Sequence, residues 1–522
     1  MLKEKIKSGK TYLGIELGST RIKACLVDDT YTPVASGSYD WENSFENGYW
    51  TYSLDSVHEG VKECFKNLSE NVSDKYGVKL EAVGAIGISA MMHGYLAFDK
   101  DGKLLAPFRT WRNTTTEQAA SELTKLFGFN IPQRWSISHL YQAMLNNEKH
   151  VSEISYITTL SGYVHYLLTG KRELGIGDAS GMFPVSGNSY DSEMLDKFSK
   201  LADGYDWDIR NILPEVKSAG EAGTVLSEEG AKFLDPTGTL KPGIPVCPPE
   251  GDAGTGMVAT NSVAPKTGNV SAGTSIFAML VLEKPLSSLY PQIDIVATPS
   301  GLPVAMVHCN NCCGELDSWV NMFDEFATLS GNPISKSDLY EMLYRNALTG
   351  DADCNGIVSY NYLSGEHVTE VSSGRPMCFR LPGNKMTLAN FMKSQIYSAF
   401  ATLSIGMETL FDTEKVSANQ FLAHGGLFKV QGVAQQFLAD ALKTPVSVMS
   451  TAGEGGAWGM ALLSAYMING NGKTLGDWLN DEVFSSMDIT TLNPDSNGAS
   501  GFENYMKKYK IGLAAEKILG EI

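Results

Sequence analysis

Alternation of apolar and polar positions predicts two strands near the start of the chain, over residues 11–17 and 21–27. The tight turn Gly18-Ser19-Thr20 joins them, and the alternation over 21–27 has the period of a strand with one covered face. Residues 82–90 return to this strand pattern after a stretch of helical periodicity. A strand pair, a helix and a further strand are the usual opening of an α/β domain.

Helical periodicity first occurs between Val57 and Val72, where apolar residues recur every three or four positions. Ser53 occupies the position of an N-cap, and Gly77 the position that closes the helix. Gly170 is placed in the same way after a predicted helix. The predicted helices beyond the first cover residues 116–126, 138–149, 160–169, 316–330, 336–347, 388–411 and about 430–442.

The second half of the chain repeats the arrangement of the first. A strand pattern over 268–272 runs into the turn Gly273-Thr274-Ser275, and a second strand pattern follows over 276–282. A further strand over 421–423 precedes the glycine pair Gly425-Gly426, ahead of a predicted helix. Glycines between a strand end and a helix start are a common resting place for a nucleotide.

Length, charge and cysteine content narrow the class of protein. At 522 residues the chain exceeds a single core. We therefore expect two domains, over residues 10–258 and 259–522. The formal net charge of −18 argues against a nucleic-acid partner. The N-terminus is charged and has no apolar core, and no apolar run reaches ~18 to 20 residues, so we expect neither a signal peptide nor a membrane span. Eight scattered cysteines do not form a disulfide framework, so we expect a cytoplasmic protein.

Asp252 is the strongest candidate for catalysis. It follows a short apolar strand and a proline pair, in the run Pro-Pro-Glu-Gly-Asp-Ala-Gly-Thr-Gly that ends at Gly256. Glycine removes side-chain bulk, so a substrate can approach the carboxylate. The alternative interpretation is an aspartate that caps the next helix. One acid and two polar glycine turns together predict a phosphoryl-transfer site assembled from both halves of the chain.

Several short segments recur in a recognisable order along the chain. They are Gly14–Ala24, Met92–Gly94, Trp111–Asn113, Asp178–Ser180, Leu213–Pro214, Gly243–Val246, Gly251–Ala253, Gly273–Ser275, Tyr362–Glu366, Gly425–Gly426 and Glu454–Gly459. In this order they resemble the FGGY carbohydrate kinases, which belong to the superfamily of actin, hexokinase and the heat-shock chaperone ATPases. The resemblance spans almost the whole chain and implies two ribonuclease-H-like domains with an interdomain cleft. It also implies Mg-ATP-dependent phosphorylation of a sugar or polyol hydroxyl.

The resemblance also implies site residues. Asp252 would be the general base, Glu16 would hold Mg²⁺, and ATP would lie on the glycine turns. The implied sugar-binding residues are Met92, His93, Trp111 and Asn113. The implied nucleotide-binding residues are Gly18, Ser19, Thr20, Arg21, Gly273, Thr274, Ser275, Gly425 and Gly426. Core packing for His93 and Trp111, and ordinary hairpin turns for the glycine segments, remain open alternatives.

Two residues depart from the family pattern, which has aspartate where Glu16 and Asn113 stand. Glu16 adds a methylene, which displaces the metal or a water. Asn113 both donates and accepts, whereas a carboxylate only accepts. We expect a small-molecule ketopentose such as xylulose or ribulose as substrate, and a possible homodimer. The alternatives are another ketose, a polyol, or a catalytically weak ATP-binding sugar sensor; a chaperone-type ATPase is disfavoured because no peptide-binding domain follows.

A cysteine cluster, Cys309-Asn-Asn-Cys312-Cys313 beside His308, is the other segment with metal-ligand residue types. Structural zinc needs about four ligands, usually from two such pairs, and the sequence has no second pair. The sequence therefore favours buried or incidental thiols over a metal centre.

Overall fold

The computed structural model describes residues 2–449 and 455–521. By internal contacts the described chain divides into two compact units. The first unit comprises residues 2–264, 295–304 and 455–487, and the second unit comprises residues 265–294, 305–449 and 488–521. The predicted fold class, α/β with two domains, is confirmed. The boundary placed between residues 258 and 259 stays a prediction, and the contacts add two later segments to the first unit.

The sheet of the first unit begins with the predicted strand pair. Tyr12–Leu17 pairs antiparallel with Arg21–Val27, which pairs antiparallel with Pro33–Asp40. On its other side Tyr12–Leu17 pairs parallel with Ala85–Ala90. An antiparallel triplet continued by parallel strands is the ribonuclease-H-like arrangement. Across the sheet the order is Thr224–Val225, Pro245–Val246, Ala85–Ala90, Tyr12–Leu17, Arg21–Val27 and Pro33–Asp40, with Glu250–Gly251 also paired to Ala85–Ala90.

Two long helices cover this sheet, and the first of them has the predicted caps. Leu54–Tyr76 starts at Ser53, whose side chain accepts a hydrogen bond from the Ser56 N–H, and ends at Gly77 with a φ of 61°. Gly455–Asn469 packs on Tyr12–Leu17, where Gly14 has no Cβ that would overlap the backbone of the helix. Contact this close requires glycine, so the two elements meet backbone to backbone.

The remaining elements of the first unit are shorter. Its other α-helices are Leu2–Lys7, Glu117–Phe127, Ser136–Leu145, Leu160–Thr169, Ile176–Ala179, Ser192–Leu201, Ile209–Ile212, Glu228–Leu234, Asp252–Ala259 and Leu475–Trp478, with 3₁₀-helices at Lys149–Glu153 and Phe484–Ser486 and a π-helix at Leu479–Val483. Its two-stranded sheets pair Ser44–Glu46 with Tyr49–Thr51, Leu96–Phe98 with Tyr156–Thr158, Glu173–Gly175 with Glu215–Lys217, and Val185–Ser186 with Ser189–Tyr190.

The sheet of the second unit repeats the strand pattern. Thr267–Ala272 pairs antiparallel with Ile276–Val281 and parallel with Gln420–Gly425. The strand order includes Pro303–Cys309, Ile276–Val281, Thr267–Ala272, Gln420–Gly425, Val446–Met449 and Ile489–Leu492. Val446–Met449 pairs parallel with Gln420–Gly425 and antiparallel with Ile489–Leu492, as Pro245–Val246 pairs with Ala85–Ala90 and Thr224–Val225 in the first unit. The predicted repetition of strand, glycine turn and strand in the two halves is confirmed.

Five longer helices accompany that sheet. They are Gly314–Leu329, Lys336–Ala347, Leu388–Glu408, Val433–Leu442 and Ser496–Leu519. The short elements are 3₁₀-helices at Cys354–Gly356, His367–Thr369 and Gly426–Phe428, a π-helix at Thr409–Thr413, and strands at Val358–Tyr360 and Met377–Phe379. The strand Asp294–Ala297 has only its first residue in the second unit. None of the helices in the described parts of the chain is long and apolar enough to cross a membrane.

Candidate active site

Asp252 is the first residue of the helix Asp252–Ala259, directly after the strand Glu250–Gly251. Its Oδ1 accepts two hydrogen bonds, from the peptide N–H of Met92 at 3.1 Å and from that of Ala253 at 2.9 Å. Burial raises the pKa of the Asp252 carboxyl above its ordinary value, and the backbone N–H donors oppose that shift. Asp252 therefore starts a helix and also carries a carboxyl group with a raised pKa, so the two interpretations of this residue do not exclude each other.

His93 follows Met92, whose N–H contacts Asp252. Its backbone has a φ of 67°, in the left-handed region that residues other than glycine rarely adopt. The ring is buried, and its Nδ1 lies 2.9 Å from the carbonyl oxygen of Gly181. Burial lowers the pKa of His93 to about 3, so the ring is neutral. Because a carbonyl can only accept, Nδ1 carries the proton and Nε2 keeps a lone pair. A neutral hydrogen-bond acceptor thus lies close to Asp252.

Glu16 lies on the strand Tyr12–Leu17, directly opposite Lys23 of the neighbouring strand. Its carboxylate accepts a hydrogen bond from the peptide N–H of Ala457, near the start of the helix Gly455–Asn469. Burial, followed by the charge of Asp252, raises the pKa of Glu16 to about 7, whereas Lys23 and the Ala457 N–H lower it. The carboxylates of Glu16 and Asp252 therefore lie close enough to repel each other.

This pair of acids suits a hard divalent cation. Mg²⁺ is usually bound by one or two carboxylates together with waters and phosphate oxygens, so a complete protein cage is not required. Within residues 2–449 and 455–521, no group of three or more His, Cys, Asp or Glu side chains is arranged for a metal ion. A cation at Glu16 would relieve the repulsion from Asp252, so the residues present fit Mg²⁺ carried with a nucleotide.

Two further acids accompany Asp252, and the sequence reasoning missed both as site residues. Asp178 is fully buried and its Oδ2 accepts hydrogen bonds from the hydroxyls of Thr159, at 2.7 Å, and Ser161. Glu250 is 2% exposed and accepts backbone N–H bonds. Burial raises the pKa of Asp178 to about 7 and that of Glu250 to about 8. For Glu250 the sequence offered one signal, an acid two positions before Asp252 that follows an apolar strand pattern.

The first glycine turn is held through its carbonyl groups. Gly18 donates its N–H to the Arg21 carbonyl at 3.1 Å, which closes the hairpin. The Trp41 indole donates to the Gly18 carbonyl at 2.7 Å, and the Tyr52 hydroxyl donates to the Ser19 carbonyl at 2.6 Å. The Trp41 and Tyr52 rings stack with centroids 4.2 Å apart. The bonds from Trp41 and Tyr52 engage the carbonyls of Gly18 and Ser19 and not the N–H groups of Ser19 and Thr20, and N–H groups in such a turn can bind an anion.

Trp111 is 38% exposed and donates its indole N–H to the Ser19 hydroxyl at 3.3 Å. The predicted sugar residue therefore contacts the predicted phosphate turn within the first unit. Neighbouring Arg112 stacks over the Trp50 ring at 3.9 Å and donates to Asn43. Its side chain is thereby engaged by protein groups.

Asn113 is buried, and its amide is occupied by backbone groups. Oδ1 accepts the Trp50 N–H at 2.8 Å, and Nδ2 donates to the carbonyls of Trp50 at 2.9 Å and Thr110 at 3.0 Å. A carboxylate would turn oxygens toward both carbonyls, so these bonds explain why asparagine replaces aspartate here. Contact of Asn113 with a sugar stays a prediction, while its visible role is to fix the strand that ends at Thr51.

The second glycine turn, in the second unit, is built like the first. Gly273 donates to the Ser275 carbonyl at 2.9 Å, and the turn carbonyls of Thr274 and Gly273 accept the N–H groups of Cys312 at 3.0 Å and Cys313 at 3.1 Å. Gly273 and Thr274 are exposed. Cys312 and Cys313 thus hold the turn through their backbone, and their two Sγ atoms lie 3.5 Å apart in the protein interior.

The glycine pair of the second unit lies beside this turn. Gly425 pairs with Ala272 across parallel strands and has a φ of 112°, a conformation open mainly to glycine. Gly426 opens the 3₁₀-helix Gly426–Phe428. Of the segment Glu454–Gly459 predicted for adenosine, Glu454 lies outside the described residues. Gly455–Gly459 form the first turns of a helix that belongs to the first unit.

Models of two protein-family domains match the chain. The N-terminal domain of the FGGY family of carbohydrate kinases matches residues 11–259, and the C-terminal domain of that family matches residues 268–468. The chain belongs to the FGGY family of carbohydrate kinases. It is therefore a phosphotransferase that acts on a carbohydrate.

Named relatives agree with this assignment at low identity. A xylulose kinase of Haemophilus influenzae is 23% identical over 520 residues, covering 96% of this chain and 99% of its own length. The crystal structure of a xylulose kinase from Rhodospirillum rubrum matches with a TM-score of 0.79 and 16% identity, over 98% of this chain and 100% of that chain. A gluconate kinase from Lactobacillus acidophilus matches with a TM-score of 0.77 and 16% identity, over 97% and 98%. The structural likeness shows the fold alone.

Proposed function

We propose that this carbohydrate kinase transfers the γ-phosphoryl group of ATP to a hydroxyl of a ketopentose such as xylulose or ribulose, with Asp252 as general base. The observation that carries the proposal is the 3.1 Å hydrogen bond from the Met92 N–H to Asp252 Oδ1. It joins the segment that resembles the sugar site of xylulokinases to the acid that resembles the catalytic base. The full-length similarity to a xylulose kinase supports the same substrate class.

Asp252 would take the proton of the attacking hydroxyl. The N–H groups of Met92 and Ala253 restrain Oδ1, and we assign proton acceptance to Oδ2. A raised pKa makes the carboxylate a stronger base than an ordinary aspartate, and a well-placed base contributes about 10²- to 10⁴-fold to the rate.

The sugar would lie against Met92, His93 and Trp111. The neutral His93 ring offers its Nε2 as an acceptor for one sugar hydroxyl, and the exposed Trp111 ring offers an apolar face of the kind that packs on carbohydrates. Asn113 would act indirectly, by fixing the backbone at Trp50 and Thr110. This assignment predicts that hydroxyl pattern, rather than charge, decides which sugar binds.

ATP would be held by the two glycine turns. Gly18, Ser19, Thr20 and Arg21 would contact its phosphates, and Gly273, Thr274, Ser275, Gly425 and Gly426 of the second unit would complete the nucleotide contacts. Glu16 would hold Mg²⁺, which when bound screens the negative charge of the phosphates. The chain supplies oriented N–H groups and hydroxyls there, and phosphoryl transfer needs mainly such positioning and charge stabilisation.

A coupled assay of ADP release across ketoses, polyols, aldoses and gluconate tests the proposal. We expect sugar-stimulated turnover with xylulose or ribulose, and little with aldoses. Turnover confined to aldoses, or none with any sugar, contradicts it. ATP binding without any sugar-stimulated hydrolysis supports the weak sensor instead, and highest kcat/KM with a hexulose, a polyol or gluconate moves the substrate assignment while keeping the kinase.

A further inference from the structure

Glu250 lies buried two residues before Asp252, and within residues 2–449 and 455–521 it forms no ion pair with a lysine or arginine. Its Oε1 accepts the N–H of Gly177 at 3.2 Å, and its Oε2 accepts those of Asp178 at 2.9 Å and Gly251 at 3.3 Å. Both oxygens are therefore used by the backbone of two separate segments. A buried carboxylate is costly unless its oxygens are hydrogen-bonded, so these three bonds are what allow it there.

The surroundings are shaped for this carboxylate. A Cβ on Gly177 would lie 2.5 Å from Oε2, and one on Gly175 would overlap Oε1. Gly175 also donates its N–H to the Pro249 carbonyl at 2.7 Å, which joins the same two segments a second time. Glycines at these positions leave room for the acid to reach backbone that a larger residue would cover.

A chain of hydrogen bonds and short backbone segments links Glu250 to Asp252. The segment that Glu250 holds runs from Gly177 to Gly181, whose carbonyl accepts from His93. Met92, the residue before His93, donates its peptide N–H to Asp252 Oδ1. Asp252 follows Glu250 in the chain after one glycine. The links in this circuit are backbone groups, the buried side chains of Glu250 and His93, and the half-buried carboxyl of Asp252. We therefore expect a displacement of Glu250 to be transmitted to both His93 and Asp252.

We propose that Glu250 is a positioning residue, which clamps residues 177–178 to residue 251 and thereby fixes the direction of the Asp252 carboxylate and the place of His93. The inference rests on the proposed role of Asp252 as base. Both Glu250 oxygens are bound to backbone N–H groups, so we assign Glu250 no contact with substrate or nucleotide. Its contribution is geometric, and a shift of about 1 Å at the reacting atoms is enough to cost on the order of 10²-fold in rate.

The test compares Glu250→Gln with Glu516→Gln in the full chain. Glu516 is also a buried glutamate that accepts a backbone N–H, from Arg375 at 2.7 Å, but it lies in the second unit. In Glu250→Gln the side-chain NH₂ replaces one of the two accepting oxygens. Because an NH₂ group cannot accept from a peptide N–H, we expect part of the contact between residues 177–178 and residue 251 to be lost. We expect kcat to fall about 10- to 100-fold with the KM values for sugar and ATP within about threefold. Glu516→Gln should keep the wild-type kcat.

Amide hydrogen exchange supplies a readout that does not depend on turnover. We expect Glu250→Gln to exchange faster than wild type at residues 91–93, 177–178 and 251–253, with other segments unchanged. A kcat within threefold of wild type together with unchanged exchange overturns the proposal. A loss of kcat equal in both variants, or one that only follows a lower folded fraction, assigns Glu250 a merely structural role and overturns it too.

Two arrangements keep the test decisive if Glu250→Gln does not fold. Gly177→Ala moves the carboxylate without changing any charge, and we expect the same fall in kcat. In wild type, the amides of Met92, Gly177, Asp178 and Gly251 should become exchangeable together, and rapid exchange of Met92 alone contradicts the clamp. If wild type phosphorylates no sugar, the proposed function fails, while the exchange data still decide the clamp.

Discussion

The peptide N–H of Met92 donates to Oδ1 of Asp252 at 3.1 Å, although the two residues are 160 positions apart in the chain. The bond fixes one carboxylate oxygen and ties the orientation of the acid to the loop that carries His93. A base held by backbone donors keeps its direction while its environment changes. Asp252 is accordingly the first position at which the proposed chemistry can be tested.

Asp252→Asn should lose about 10²- to 10⁴-fold in kcat while sugar and ATP still bind, because the amide keeps the shape but cannot take a proton at neutral pH. Turnover by ADP release and binding by calorimetry measure the two effects separately. Asp203→Asn, at an exposed position of the same unit, is the control and should behave as wild type. Near wild-type turnover in Asp252→Asn would remove Asp252 from the role of base.

Glu16→Asp should change the response to metal. The shorter side chain no longer reaches the Ala457 N–H, so its carboxylate is released from the helix start and presents differently to a cation. We expect the Mg²⁺ or Mn²⁺ concentration for half-maximal activity to change by about 10-fold, the size typical of altered metal-site support. Titrations of both metals check this against Glu229→Asp, an exposed control. Superimposable titrations would show that position 16 is neutral toward metal.

Stability should depend on pH through Glu16. Its pKa of about 7 in the folded chain exceeds the ordinary value of 4.5, so folding favours the protonated form. The contribution of Glu16 to the free energy of unfolding is fully present below pH 4.5 and is lost as pH rises through about 7. Urea midpoints at pH 5, 6, 7 and 8 should therefore decline less steeply in Glu16→Gln than in wild type. Parallel declines would contradict the shifted pKa.

Asn113→Asp should destabilise the first unit. The substitution places a carboxylate oxygen against the carbonyls of Trp50 and Thr110, each of which keeps one backbone N–H donor. We expect a loss of about 1–3 kcal/mol in the free energy of unfolding, because that buried carboxylate oxygen accepts no hydrogen bond there. Denaturant unfolding measures it, with the exposed Asn211→Asp as control. If Asn113→Asp is as stable as wild type, the three backbone bonds do not decide the residue at this position.

Gly14→Ala should destabilise through overlap. A Cβ at this position would collide with the Ala457 carbonyl and the Ala461 nitrogen of the helix Gly455–Asn469. Overpacking of this kind costs about 1–3 kcal/mol or more. Gly204→Ala, where a Cβ meets nothing within 4 Å, is the matched control. Thermal unfolding of the two variants checks the prediction, and equal midpoints would indicate that the helix can move away without loss.

Local signals in the sequence predicted much of the fold. Ser53 and Gly77 bound the helix Leu54–Tyr76 because capping is decided by neighbours in the chain. The hairpin at Gly18 and its counterpart at Gly273 follow from turn chemistry in the same way. These features depend on a few consecutive residues, which is why a single sequence reveals them.

The candidate site was predictable only in part, because its bonds join distant segments. The link between Met92 and Asp252 and the backbone partners of Asn113 have no local pattern. Glu250 sits next to the predicted base, yet its three partners lie partly at residues 177–178, and only the folded chain reveals that the acid is engaged. Likewise, the grouping of residues 455–487 with the first unit leaves no mark in residue periodicity.

That late segment has a consequence for synthesis of the protein. The strand around Gly14 is translated long before the helix Gly455–Asn469 that packs on it. Until that helix is made, the nascent chain exposes an apolar sheet surface at Gly14 and Gly87 to solvent or to a chaperone. A ribosome that stops at residue 264 would release a fragment without this cover, prone to aggregation and to proteolysis.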